Sequence, residues 1–177
     1  FEVQFEQSGT TSSYYANSDY GETITVDSES DESDSAVLIS VYEYTAGDLE
    51  ITKYEYWEMG GTVVSQQFVL YNAGSTDLTN LAFQFATDPD IDSDLHDDYD
   101  TNNDVDDLDG DSVDDWAIAV GPTSGVAMGF APCDPGSASL GFSEGWDEGV
   151  GITLTDDDGV AEDSTMNWIH TEGTLAA

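Results

Sequence analysis

The sequence predicts an all-β protein, a single β-sandwich spanning residues 1–177. Three observations carry that prediction. Apolar and polar residues alternate with a period of two along several segments. These segments recur about every ten residues, with turn-forming residues between them. No segment combines a helical apolar stripe with helix caps.

Taken in order, Phe1-Glu-Val-Gln-Phe5 alternates cleanly, and Glu22-Thr-Ile-Thr-Val26 repeats the pattern. Ser28 to Ser35 is a low-complexity acidic stretch and reads as a solvated loop. Ala36 to Tyr44 is β-branched and aromatic, and Leu49 to Trp57 alternates over its whole length. Gly60-Gly61 turns the chain into a strand over Thr62 to Tyr71. Leu78 to Phe85 follows, with Leu81, Phe83 and Phe85 on one face. Beyond an acidic segment, short strands are expected at Trp116–Val120, Val126–Phe130, Ser139–Phe142, Gly151–Leu154 and Met166–His170.

Charge narrows the function. The chain has 39 acidic residues, one lysine and no arginine, a formal charge of −38. Nucleic-acid binding needs Lys and Arg to displace counterions, so it is excluded, as is docking on anionic lipid. No run reaches the about 18 apolar residues of a membrane span. The chain opens on Phe1 and is expected to be a processed mature protein or an excised segment. Cys133 is the only cysteine, so no intrachain disulfide can form.

Adaptation to high salt, cation binding and a solvated acidic face would each produce such a charge. The distribution separates them. Fourteen of the 26 Asp residues lie between Asp88 and Asp115, a segment with no Glu. Surface adaptation would mix and spread the two acids, whereas dense short carboxylates suit a hard, oxygen-seeking cation. Residues 88–115 are therefore read as a long acidic calcium-binding loop inserted between strands, with salt adaptation a sufficient reason for the other acids.

Within it, Asp88, Asp90, Asp92 and Asp94 stand at every second position. In an extended chain they share one side at a spacing of about 7 Å, and a curling loop could draw them around an ion. Asp100, Asn102 and Asp104 form a D-x-N-x-D pattern, and Asp107, Asp109, Asp111 and Asp114 a D-x-D-G-D-x-x-D pattern. Asp156 and Asp158, followed by Gly159, Glu162 and Asp163, make a further candidate. Several Ca2+ ions are the expected ligands. Magnesium suits such sites less, because it keeps its waters.

The stretch Asp100 to Asp114 resembles the calcium loops of thrombospondin type 3 repeats and of dockerin or EF-hand modules. It departs from them at Val105, where an Asp is expected, and in lacking a twelfth-position Glu. The resemblance implies the ion, not the fold. Phe68 to Phe83, with Asn72-Ala-Gly74 at its centre, resembles the strand–N-x-G–strand core of Ig-like, CARDB-like modules of prokaryotic surface proteins. That resemblance implies an extracellular, Ig-like or jelly-roll-like sandwich with a structural or adhesive role.

Catalysis is not expected, because no nucleophile stands in a base-assisted motif. His96 lies among carboxylates that favour its protonated form, and His170 has no Ser or Cys pattern near it. Lys53 reads as an exposed strand residue paired with a Glu across the sheet, with an amide crosslink as the sharper alternative. Tyr42, Tyr44, Tyr54, Tyr56, Trp57, Trp116, Trp146 and Trp168 could line a sugar-binding face, although core packing explains them equally well.

The expectation is thus a calcium-stabilised extracellular structural subunit that assembles with itself into a filament or surface layer. Phe1, Val3 and Phe5 would be donated as an edge strand to a neighbour. The alternative is a calcium-dependent adhesin or carbohydrate-binding module, binding a sugar or another surface protein; a fragment of a salt-adapted secreted enzyme is a distant third.

Overall fold

The structure, a computed structural model, describes residues 1–16, 23–93, 99–107, 114–133, 138–144, 150, 152–155 and 163–177. It is all-β, with open antiparallel sheets of the sandwich class. Among the described residues there are twelve strands: β1 (Glu2–Gln7), β2 (Thr10–Tyr15), β3 (Val26–Asp31), β4 (Val37–Ala46), β5 (Leu49–Glu58), β6 (Val64–Asn72), β7 (Leu78–Thr87), β8 (Asn102–Asp106), β9 (Trp116–Val120), β10 (Ala127–Phe130), β11 (Ala138–Glu144) and β12 (Ser164–Leu175). They form sheets of order β11-β12-β7-β1-β2, β10-β9-β8 and β3-β4-β5-β6. The chain divides into two compact units, Phe1–Glu2 with Ala82–Glu172 and Val3–Leu81 with Gly173–Ala177.

In the second of these units, β4 and β5 form a hairpin in register from Val37↔Glu58 to Ala46↔Leu49, and β6 continues it from Leu49↔Asn72 to Trp57↔Val64. Alternation puts Tyr44, Ala46, Leu49 and Ile51 inside, where they are buried with Val3, Phe5, Leu78 and Leu81. Towards the other end of the same strands the burial lapses. Leu38, Trp57 and Val64 stand side by side across three strands, and all three are exposed.

The Asn72-Ala-Gly74 motif has a local physical cause. The Asn72 side chain donates to Thr76 O at 2.9 Å and Leu175 O at 3.1 Å, and accepts from Gly74 N–H at 3.0 Å. A β-carbon on Gly74 would collide with the Asp48 carboxylate. The motif therefore ties the end of β6 to the chain's last strand.

The other unit has its own core. Ala117, Ala119, Leu140, Phe142 and Met166 are buried together, with Ile91, Val105, Phe130 and Trp168 packed against them. Beside this cluster lies a buried polar network. Gln84 Nε2 donates to Asn167 Oδ1 at 2.7 Å, and Asn167 Nδ2 donates to Ser143 Oγ at 3.0 Å and Thr165 O at 2.8 Å.

Several expectations need correction. Asn102–Asp106, read as part of a loop, is strand β8, paired with β9 from Asn102↔Val120 to Asp106↔Trp116. Its alternation is real but polar, with Asn103 buried and Val105 half-buried between exposed Asn102, Asp104 and Asp106. Of the acidic stretch Ser28–Ser35, Ser28 to Asp31 belong to strand β3 while Glu32 to Ser35 form the connection to β4, and Thr23 to Thr25 precede β3 outside any strand. Strand β2 was not foreseen. Residues 152–154 form no strand; only Thr155 pairs, through a bridge to Phe142.

Segment Phe1 to Phe5 is not an edge. Strand β1 lies between β7 and β2 in the chain's own sheet, with Val3 and Phe5 buried. The chain's own sheet already uses the hydrogen-bonding edges that donation would require.

Asn167 offers a direct test of the polar core. Asn167→Ala removes the group that both Gln84 and Ser143 bond, and should lower unfolding free energy by about 2–3 kcal/mol in a denaturant titration. A loss no larger than that of a surface substitution would show the network to be dispensable.

Candidate metal centre

The candidate site grows from two adjacent strands. In the five-stranded sheet β7 neighbours β12. Asp88 follows the last residue of β7, and Asp163 precedes the first residue of β12. The turn Pro89–Ile91 then folds Asp90 back, with Ile91 N–H bonded to Pro89 O and Ser93 Oγ donating to Asp90 O at 2.8 Å. As a result, carboxylate oxygens of Asp88, Asp90 and Asp163 all lie within 4.8 Å of one another.

Asp88 and Asp90 are half-buried and Asp163 is exposed. The Oδ1 atoms of Asp88 and Asp90 are shielded from solvent and accept no hydrogen bond. Burial, reinforced by the charges of Asp90 and Asp163, pushes the Asp88 carboxyl up to about 6. The chain has no arginine, and its one lysine, Lys53, is ion-paired with Glu55 at 2.6 Å. No Lys or Arg side chain is therefore at hand to neutralise these carboxylates.

Asp88, Asp90 and Asp92 do not act as one set. Asp92 turns away and is buried against the loop between β9 and β10. Its Oδ2 accepts from Thr123 N–H at 2.9 Å and Ser124 N–H at 3.1 Å. A β-carbon on Gly121 would lie 2.6 Å from that same oxygen, so the loop can close on Asp92 only because residue 121 is glycine. Asp92 thus has a structural task that spacing alone concealed.

The other predicted ligands are dispersed. Asn102 and Asp104 are exposed on extended strand β8 rather than curled around a centre. Asp100 and Asp114 are exposed and Asp107 is half-buried, outside the one cluster found among the described residues. Asp94, Asp109, Asp111, Asp156 and Asp158 lie outside the described residues, as do His96 and Trp146. Asp163 was seen in sequence only as the flank of a separate loop. Its partnership with Asp88 follows from β7 and β12 being neighbours, which no short-range motif encodes.

Lys53 takes a different place from that expected. The Lys53 ammonium bonds Glu55 on its own strand, and lies 5.8 Å from the ring centres of its cross-strand neighbours Tyr42 and Phe68. By register, Tyr42, Tyr44 and Trp57 share one face of the sheet while Tyr54 and Tyr56 occupy the other. Trp168 packs on the core cluster, stacked with His170 at 6.0 Å. Tyr42, Tyr44 and Trp57 therefore share no platform with Tyr54 and Tyr56. Cys133 is exposed, and no helix among the described residues is long and apolar enough to cross a membrane.

The fold and site thus define an all-β protein with a compact carboxylate cluster at one sheet end. The chain matches no known family model, no curated protein and no solved structure.

The Asp88 environment sets a pH dependence for the metal-free protein. Its carboxyl sits near 6 when folded and near 3.8 when unfolded, so the cost of ionising it is fully present above pH 6. That cost is relieved as pH falls from 6 towards 4. In chelator, Tm should rise as pH is lowered from 7 to 5, and Asp88→Asn should flatten the rise. Parallel curves for the two proteins would assign the trend elsewhere.

Proposed function

We propose that this chain is a calcium-stabilised extracellular structural module that assembles with its own kind into a filament or surface layer. The observation that carries the reading is the Asp88–Asp90–Asp163 cluster, with two buried carboxylate oxygens that accept no hydrogen bond. Oxygens held at 2.3–2.6 Å from one calcium can be at most about 5 Å apart. The 4.8 Å bound on these carboxylates falls within that limit. Three carboxylates would supply part of the six to eight oxygens calcium takes, with water completing the shell.

The chemistry suits the ion. Burial, and then the repulsion of its neighbours, raises the Asp88 affinity for protons, and such carboxylates are stabilised once a divalent cation replaces the proton. A site built from few protein ligands on a solvent-facing sheet end belongs with weak, extracellular calcium modules, whose affinities are in the range of about 0.1–1 mM. Bound calcium also lowers the charge that keeps copies of a −38 chain apart.

Calcium at a hundred times its Kd should stabilise the protein by about 2.7 kcal/mol, or about 5–10 °C in Tm. Asp90→Asn with Asp163→Asn should abolish most of that shift, and magnesium at equal ionic strength should give much less. A Tm indifferent to calcium and chelator would overturn the reading.

A further inference from the structure

The described residues contain six outer sheet edges, carried by β2, β11, β3, β6, β8 and β10. An exposed edge strand is a template for pairing with another chain unless it is charged, short or covered. Five of the six carry such protection. Strand β3 bears Asp27, Glu29 and Asp31, and β8 bears Asp104 and Asp106. Strand β10 is only four residues long. Strand β11 is covered at Phe142, which exchanges backbone hydrogen bonds of 3.0 and 2.8 Å with Thr155. Strand β2 is held at Tyr15, whose carbonyl accepts from Thr23 and Ile24 N–H groups, each at 2.9 Å.

Among the described residues, strand β6 has none of these devices. It is nine residues long and ends the sheet β3-β4-β5-β6. From Met59 to Thr76 the sequence holds no charged residue and no histidine. Its apolar side chains are exposed on both faces: Val64 at 55% on one, Val69 at 44% and Tyr71 at 62% on the other. Exposed Leu38 and Trp57 extend the Val64 face inward across the sheet.

We propose that β6 is a self-association edge, and that its occupant is β6 of a second copy, paired antiparallel about a twofold axis near Phe68. Charge selects the occupant. A cationic partner would be drawn to the carboxylates elsewhere, since β6 offers it nothing. A strand matched to β6 must itself be long, exposed and uncharged, and among the described strands that alternate apolar side chains to solvent, β6 is the one that qualifies. A twofold contact is self-complementary, so the neutral strip meets the neutral strip. Full overlap of the nine residues pairs Phe68 with its mate and joins two four-stranded sheets into one of eight.

The pairing rests on the reading of this chain as a self-assembling subunit, but not on calcium. Because the rest of the surface is acidic, its strength should grow with ionic strength. The Debye length falls from about 10 Å at 0.1 M to about 3 Å at 1 M salt.

The test is sedimentation velocity of the whole chain in chelator, across a concentration series in about 0.1 and 1 M KCl. The wild type should dimerise, more tightly in the higher salt. Val69→Asp places two carboxylates beside the twofold axis and should weaken dimerisation by at least about tenfold. Glu29→Gln on the opposite edge should not. Circular dichroism checks that Val69→Asp is folded. Hydrogen exchange of the wild type gives a readout that needs no variant, since backbone amides of Val64–Asn72 should become protected as concentration rises. A wild type monomeric at both salt concentrations would overturn the edge, and one that stays monomeric also when calcium replaces the chelator would overturn the self-assembly reading as well. A dimer that Val69→Asp leaves intact, with no protection in β6, would overturn the edge alone, as would pairing only with an added foreign strand.

Discussion

Electrostatic self-repulsion with almost no internal counter-charge is the constraint on which the rest of this structure depends. One lysine cannot answer 39 carboxylates, so the fold must place them in water or give them neutral donors. It does both. Asp34 accepts from the N–H groups of Ala36 and Val37, and Asp31 from Ser33, which holds both carboxyls below the usual range. Asp92 accepts from Thr123 and Ser124, Asp77 from Ala177, and Asp48 from the Gln7 amide. Acids here act as caps for turns and chain ends rather than as halves of salt bridges. No such donor reaches the buried Oδ1 atoms of Asp88 and Asp90, as none reaches Oδ1 of Asp92, and it is the closeness of the first two to Asp163 that defines the candidate site.

How much of this was legible in the sequence depends on whether the information was local. Strand β4 is a β-branched and aromatic run, β5 opens on the apolar–polar alternation of Leu49 to Thr52, and β9 is an unbroken apolar run, and their expected limits lie close to those found. Strand β3 was hidden because it is an edge exposed along its whole length, so no apolar face marks it. Strand β2 was hidden by its Thr/Ser composition, although Ser8 and Gly9, with φ of 52° and 79°, form the two-residue turn that a hairpin requires. Strand β8 was masked by the acidic pattern that made it look like a loop.

The same distinction divides the candidate site. The regular spacing of Asp88, Asp90 and Asp92 is visible, but spacing assigns all three to one task. The fold assigns two of them to Asp163 and one to a loop starting at Gly121. Each assignment depends on which strands are neighbours, β7 with β12 and β9 with β10, and sheet order is not written in any single segment. The Phe1–Phe5 segment is the converse case. Its alternation correctly marks a strand, but alternation is equally satisfied by a strand donated outward and by one held within its own sheet.

Charge also accounts for why a long neutral edge can be left uncovered. Protection of edge strands is ordinarily local, through a lysine, a proline or a bulge on the strand itself. In a chain of charge −38 the remainder of the surface repels every other copy, so a neutral strand can be exposed without uncontrolled pairing while that repulsion is unscreened. Raising salt shortens the reach of the repulsion, and a divalent cation on the carboxylates lowers the charge itself. Under the proposals made for the Asp88–Asp90–Asp163 cluster and for β6, these are two routes to one event. Screening admits a second copy, and directional hydrogen bonding at β6 then determines where it binds. Acidity and assembly are in that sense not opposed: the first sets the conditions under which the second occurs.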